Sequence, residues 1–466
     1  MKSRILYLLL FTVIGFVTTS ASEGDASWLD ADKIVTSIKK TSFPDKTFNI
    51  IDFGVKEGDF ANVYHEEINQ AILACSQSGG GTVLIPKGTY HTGPLTLKSN
   101  VNLHLEEGAV LKFSTDHDLY FPAVLTRWEG VDCYNARPLI YAYGETNIAI
   151  TGKGTIDGQG ANDTWWYMCG AERFGSRDNL KSQWKGGRQR LLEYAETHTP
   201  NYKRVMTQED ALRPQLINLY SCNTILIENV TLLNSPFWVI HPLMCEDLIV
   251  RGVYIESHGP NSDGCDPESS KNVLIENCYF NTGDDCIAIK SGRNADGRKW
   301  NMPSENIVVR GCEMRNGHGG IVIGSEISGG FRNLYAENCK MDSPELDRVV
   351  RIKTNNCRGG VIENIFVRNI EVGQCREAVL KINLVYEPKE LCDRSFPPFV
   401  RNVNLENITC GKSKMGVYIT GFEDSDNVSD INVSNCRFEN VEKATDVTGA
   451  KNVTYRDLYI NGKLVK

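Results

Sequence analysis

The stretch Asn272-Val-Leu-Ile-Glu-Asn-Cys278 returns as Asn306-Ile-Val-Val-Arg-Gly-Cys312 and again as Asn333-Leu-Tyr-Ala-Glu-Asn-Cys339. The shared frame is Asn or Asp, an apolar residue, any residue, an apolar residue, a polar one, Asn/Gly/Asp, then Cys/Val/Ile/Leu. It extends back to Asp247–Val253, with a weaker copy over 224–230, and forward through Asn364–Ile370, Asn402–Ile408, Asp430–Cys436 and Asn452–Leu458. Successive starts lie roughly 22 to 38 residues apart, the spacing of a solenoid. Each copy alternates apolar and polar positions and is rich in Val and Ile, which predicts a short strand, with the Asn or Gly that follows taking a tight bend. Most copies have no helix-length amphipathic segment between them, so βαβ units are excluded. The pattern predicts an all-β fold, a parallel β-helix whose coils stack at about 4.8 Å with like positions in ladders. A propeller would need longer repeats of four antiparallel strands each.

Outward from the repeat, 62–79 places Ile68, Ile72 and Cys75 on one helical face before Gly79-Gly80-Gly81. This predicts a short N-terminal helix that caps the open end of the solenoid. Residues 165–213 break the repeat and are rich in Arg, Lys and Trp, which predicts a functional excursion beside a cleft or a locally helical loop. The chain has 466 residues, and at about 150 residues per domain the length alone would suggest three domains. The repeat points instead to one catalytic solenoid over 22–466. Lys2 and Arg4 precede the apolar run Ile5 to Val17 and small residues at 19–21, so 1–21 reads as a signal peptide. The expected product is an exported protein, periplasmic or secreted, with no stable membrane span and a monomeric state. Fifteen cysteines are present with no CxxC pair, which disfavours a zinc ribbon. Cys278, Cys312, Cys339 and Cys436 share one interior position of the frame. Most of the cysteines therefore read as buried thiols, with one or two disulfides in loops. A formal charge of −8 argues against a nucleic-acid partner, because phosphate affinity depends on Lys and Arg.

In a solenoid, residues one coil apart become neighbours. Asp284 lies twelve residues after the frame start Asn272, and His318 twelve after Asn306, so the two should stack. Asp263 lies about one coil before Asp284, and Arg351 with Lys353 about one coil after His318. The expected column is Asp263, Asp284/Asp285, His318 and Arg351/Lys353. Adjacent Asp284 and Asp285 can enter one cleft only where the chain turns or bulges, which Gly283 permits. Crowded carboxylates raise at least one pKa and leave a neutral acid beside an ionised base, as glycosidic hydrolysis requires. The alternative is a solvated polar ladder. Arg351-Ile-Lys353 alternates, so both cations emerge on one side and can bind a sugar carboxylate. A surface ion pair with Glu345 or Asp347 is the plainer reading of the same residues.

Four segments in order, Asn261-Ser-Asp263-Gly-Cys-Asp266, Gly283-Asp-Asp285-Cys, Gly317-His-Gly319 and Arg351-Ile-Lys353, resemble the signature motifs of the polygalacturonase family, glycoside hydrolase family 28. The resemblance covers most of the chain, from Asp52-Phe-Gly-Val onward. It implies a right-handed parallel β-helix and an inverting, metal-independent hydrolase of galacturonic-acid linkages in pectin, with no cofactor. Its partners would be pectic polysaccharide or galacturonide oligomers. By motif, Asp284 looks like the general acid, while Asp263 and Asp285 resemble the residues that hold and deprotonate water. His318 would support the acid's protonation. Arg351 and Lys353 would bind the galacturonate carboxylate, with Asn261 and Tyr386 as further substrate contacts. Ser262 stands where many members have Thr. The excursion and Arg127-Trp-Glu-Gly130 resemble members that trim chain ends, which favours exo action. Two rivals are a calcium-dependent pectate lyase, with the Asp cluster on the ion and Arg351 as base, and a non-catalytic carbohydrate-binding solenoid.

Overall fold

A computed structural model describes residues 23–466, with side chains from residue 28. The signal-peptide expectation for 1–21 lies outside the described residues. The chain is a right-handed parallel β-helix of one long sheet and shorter companion sheets. The frames land where the sequence puts them, on the strands Glu246–Arg251, Lys271–Glu276, Ser304–Arg310, Phe331–Glu337, Val361–Val372, Phe399–Cys410, Val428–Phe438 and Lys451–Ile460.

Register follows the frame. Val273 pairs with Ile307, Ile307 with Leu334, Leu334 with Ile365, Ile365 with Val403 and Val403 with Ile431. All six side chains are fully buried inside the coils. Cutting one back to alanine, as in Ile307→Ala, would cost about 2–5 kcal/mol, because stacked neighbours cannot collapse into the gap.

The first residue of each frame explains why Asn recurs there. Asn272, Asn306, Asn333, Asn364 and Asn402 take φ between 55° and 66°, the left-handed region that Asn tolerates better than other side chains. Their amides also form a ladder. Asn306 donates to Asn272 at 3.1 Å, Asn333 to Asn306 at 2.9 Å, Asn364 to Asn333 at 3.0 Å and Asn402 to Asn364 at 2.8 Å. The sixth frame position is left-handed too, at Asn277, Gly311 and Asn338.

The capping helix spans His65–Gln77 and buries Ile68, Ala71, Ile72 and Cys75 over the first coils. A second helix, Glu23–Ser37, was not foreseen. It lies on the outside of the long sheet, with Trp28, Ala31 and Ile38 against Ile249, Leu274, Val308 and Tyr335. Thirteen cysteines are free and buried, and Cys357 and Cys392 form a disulfide, in line with the sequence reading.

The excursion is a series of short helical turns with one α-helix, Gly187–Glu196. Leu191, Ala195, Met206 and Leu212 form a satellite core with Trp128, Val131, Phe237 and Trp238. This core fastens the excursion and the antiparallel hairpin Val124–Trp128/Val131–Asn135 to the wall of the solenoid that carries the acidic column. Among the described residues no helix is long and apolar enough to cross a membrane.

Candidate active site

Parallel register builds the site from four successive coils. Ile287 pairs with Ile321 and Ile321 with Val350, while Cys265 bridges to Ile287. Three residues before Ile287 and Ile321 stand Asp284 and His318, so the expected stacking holds, and the His318 amide donates to the Asp284 carbonyl at 3.1 Å. Two residues before Cys265 and Ile287 stand Asp263 and Asp285. The chain between the strands Tyr279–Thr282 and Ile287–Ile289 turns rather than continuing as a strand. Both Asp284 and Asp285 therefore point toward the same region despite being adjacent.

The carboxylates of Asp263, Asp284 and Asp285 offer oxygen atoms all within 4.8 Å of one another. A cavity of about 360 Å³ opens over them and is lined by Asn261, Asp263, Asp284, His318, Arg351, Lys353 and Tyr386 among others. Asp285 is fully buried beneath this wall. All eight residues singled out from sequence are thus brought together. The alternative ion pair of Arg351 with Glu345 or Asp347 does not form, since those acids are taken by Arg376 and Arg348. Arg351 and Lys353 reach back to Asp285 instead, at 3.5 and 2.7 Å. Both cations also lie 5.5 Å from the centre of the Tyr386 ring, which places them for a favourable cation–π contact.

Charges are unequal across the cluster. Burial and the Asp284 charge push Asp263 well above the usual carboxylate range, against the opposing pull of Lys290. Burial also acts to raise Asp284, but the charge and hydrogen bond of His318, with Lys353 and Lys290 behind, hold it well below that range. His318 Nδ1 lies 3.0 Å from Asp284 Oδ1, and the Asp284 charge lifts the ring to about 9. In the unliganded site the proton of this pair therefore rests on His318 with Asp284 ionised, while Asp263 gives up its proton less readily than an ordinary carboxyl. Burial and crowding push the two carboxyls apart, Asp263 up while His318 holds Asp284 down, and a ring proton stands ready to pass to Asp284.

Several wall residues were missed from sequence. Lys290 lies 3.5 Å from Asp263 Oδ2 and 3.4 Å from Glu326 Oε2. Arg293 gathers Glu129, Glu326, Glu387 and Glu390 from three separate segments at 2.9 to 3.3 Å. Arg188, from the excursion helix, pairs with Glu129 of the hairpin at 2.7 Å. A signal for Lys290 existed. The pairings Ile289 with Ile323 and Gly324 with Lys353 put it on the same rung as Lys353, two coils earlier.

The arrangement does not suit calcium-assisted β-elimination. Carboxylate oxygens that would bind a hard cation already face ammonium groups, Asp285 facing Lys353 and Asp263 facing Lys290. Burial acts to lower Arg351, but Asp285 and Tyr386 hold it above its ordinary value, so it is a poor proton acceptor.

The family model for glycosyl hydrolases family 28 matches residues 199–457. A Vitis vinifera protein described as a probable polygalacturonase is 30% identical, over 86% of this chain and 75% of its own length. An exo-poly-alpha-D-galacturonosidase of Dickeya chrysanthemi is 27% identical, over 88% of this chain and 69% of its own. Among solved structures, a hyperthermoactive exopolygalacturonase from Thermotoga maritima superposes with a TM-score of 0.90 at 39% identity, covering 94% of this chain and 97% of that one.

Proposed function

The chain belongs to the glycosyl hydrolases of family 28, and from that premise we propose that it trims galacturonic acid from the ends of pectic chains by an inverting acid/base hydrolysis. Galacturonide linkages of pectin are its substrate class, and relatives named for exo action favour release from chain ends. Asp284 protonates the leaving oxygen, and His318 supplies and restores that proton across their 3.0 Å contact. Asp263 and Asp285 hold the attacking water and take its proton. Arg351 and Lys353 receive the sugar carboxylate, Arg351 through its planar fork and Lys353 as a point charge. Asn261 and Tyr386 complete the sugar's surroundings. Export to the periplasm or the medium and action as a monomer belong to the same proposal.

The observation that supports this reading most is the meeting of an acid–imidazole pair, a second carboxyl and two cations around one cavity of about 360 Å³, a size usual for small-ligand sites at ~300–1,000 Å³. Single turnover on a defined trigalacturonate tests it. Wild type should release saturated galacturonate, and Asp284→Asn should bind the oligomer without cleaving it. An Asp284→Asn variant with wild-type turnover would contradict the role given to Asp284.

A further inference from the structure

Lys290 belongs to none of the four signature segments, yet it is the described cation nearest the Asp263 carboxylate. It is 2% exposed, with Nζ 3.5 Å from Asp263 Oδ2, 3.4 Å from Glu326 Oε2 and 4.5 Å above the Trp238 ring. These contacts fix the ammonium from three sides. We propose that Lys290 is a positioning residue of the reaction, acting through Asp263 by orienting its carboxyl and easing its ionisation so that it can accept the proton of the attacking water. This rests on the role given to Asp263 above.

The other charged groups facing Asp263 leave that task to Lys290. Asp284 and Asp285, from the turn of the next coil, oppose its ionisation. Lys353, from the strand Arg348–Lys353, favours it, but its ammonium is bonded to Asp285 at 2.7 Å. Glu326 competes for Lys290, yet Arg293 lies 3.3 Å from its other oxygen and offsets its charge. Asp266 is fully buried with neither carboxylate oxygen hydrogen-bonded to a described residue. Burial and the Asp263 charge raise it well above the usual range, against the pull of the same ammonium. An opposite charge at this distance lowers a carboxyl pKa by about 1–3 units. Without it, a buried Asp263 would ionise only at still higher pH and would serve as base over a narrower range.

The test is the pH dependence of kcat/KM on trigalacturonate, whose ascending limb reports the free enzyme's essential base. Lys290→Met should move that limb to higher pH by about 1–2 units, with the rate recovering on the alkaline side, while Lys290→Arg should leave it near its original position. Glu326→Gln, which removes the competitor for Lys290, should move it the opposite way and supplies the test if Lys290→Met does not fold. A Lys290→Met profile lowered by one factor at every pH would overturn the proposal. So would a Glu326→Gln limb that stays in place. Asp263→Asn separates this inference from the reading beneath it. An active Asp263→Asn enzyme would overturn the role of Asp263 itself, whereas an inactive one beside an unmoved Lys290→Met limb would overturn the role of Lys290 alone.

Discussion

His318 Nδ1 stands 3.0 Å from Asp284 Oδ1 although 34 residues separate them in sequence, because one full coil returns the chain to the same angular position. The pair stores a proton next to the place where a leaving group would need one. Asp284 is held low by the ring, and the ring is held high by Asp284.

The ring's titration can be read directly. His318 should titrate near 9 by NMR, and in Asp284→Asn it should fall back toward the ordinary 6.5. The folded-state pKa is raised, so this pair's contribution to stability is complete below about 6.5. It is lost as pH rises through 9. A ring titrating near 6.5 in the wild type would contradict the pairing.

Removing the acid should cost rate and not fold. Asp284→Asn should lower kcat by about 10²–10⁴-fold, the usual weight of a positioned proton donor, with its circular dichroism unchanged. Thermal unfolding measured alongside turnover separates the two effects.

The two cations should separate recognition from stability. Arg351 holds Asp285 only at 3.5 Å, while Lys353 bonds it at 2.7 Å in a buried setting. Arg351→Ala should raise KM and lower kcat for galacturonides with little change in Tm. Lys353→Ala should do the same and in addition destabilise by about 3–5 kcal/mol, because it strands a buried carboxylate. Kinetics on trigalacturonate and denaturant unfolding of both variants check this.

Chelation should leave activity intact. The carboxylates that could bind a divalent cation already face Lys290 and Lys353, so EDTA should neither slow the enzyme nor change its products. A loss of activity restored by calcium, with an ultraviolet-absorbing unsaturated product, would point to the lyase chemistry.

The tie between excursion and hairpin should matter for where chains are cut. Arg188 pairs with Glu129 beside the cavity. Arg188→Ala should loosen that wall and shift polygalacturonate products from monomer toward longer oligomers, as chromatography of early digests would show. An unchanged monomer profile would free this pair from any part in exo action.

The repeat made the solenoid legible because the frame encodes two separate requirements, alternating apolar positions for the interior and Asn where the backbone turns left-handed. Register then carried the reading to the site. Asp284 and His318 share a frame offset, so their contact followed from counting. Lys290, Glu326 and Arg293 escaped notice because they meet through side-chain reach across the wall and not through a shared motif. Lys290 alone left a trace, on the rung of Lys353. The helix Glu23–Ser37 was missed because its buried residues are few and its partners are outward-facing positions such as Val308 and Tyr335. Those positions read as ordinary members of their strands until something covers them. The path of the excursion could not be read at all, since its satellite core draws on Trp128 and Phe237 from elsewhere in the chain.

The central claim is that this column of acids hydrolyses α-linked galacturonides from a chain end with inversion. Following a trigalacturonate digest by NMR as the first bonds break tests it directly. Saturated galacturonate should appear first as the β anomer, beside an intact digalacturonate. First product as the α anomer, an unsaturated sugar, or no cleavage of any galacturonide would contradict it.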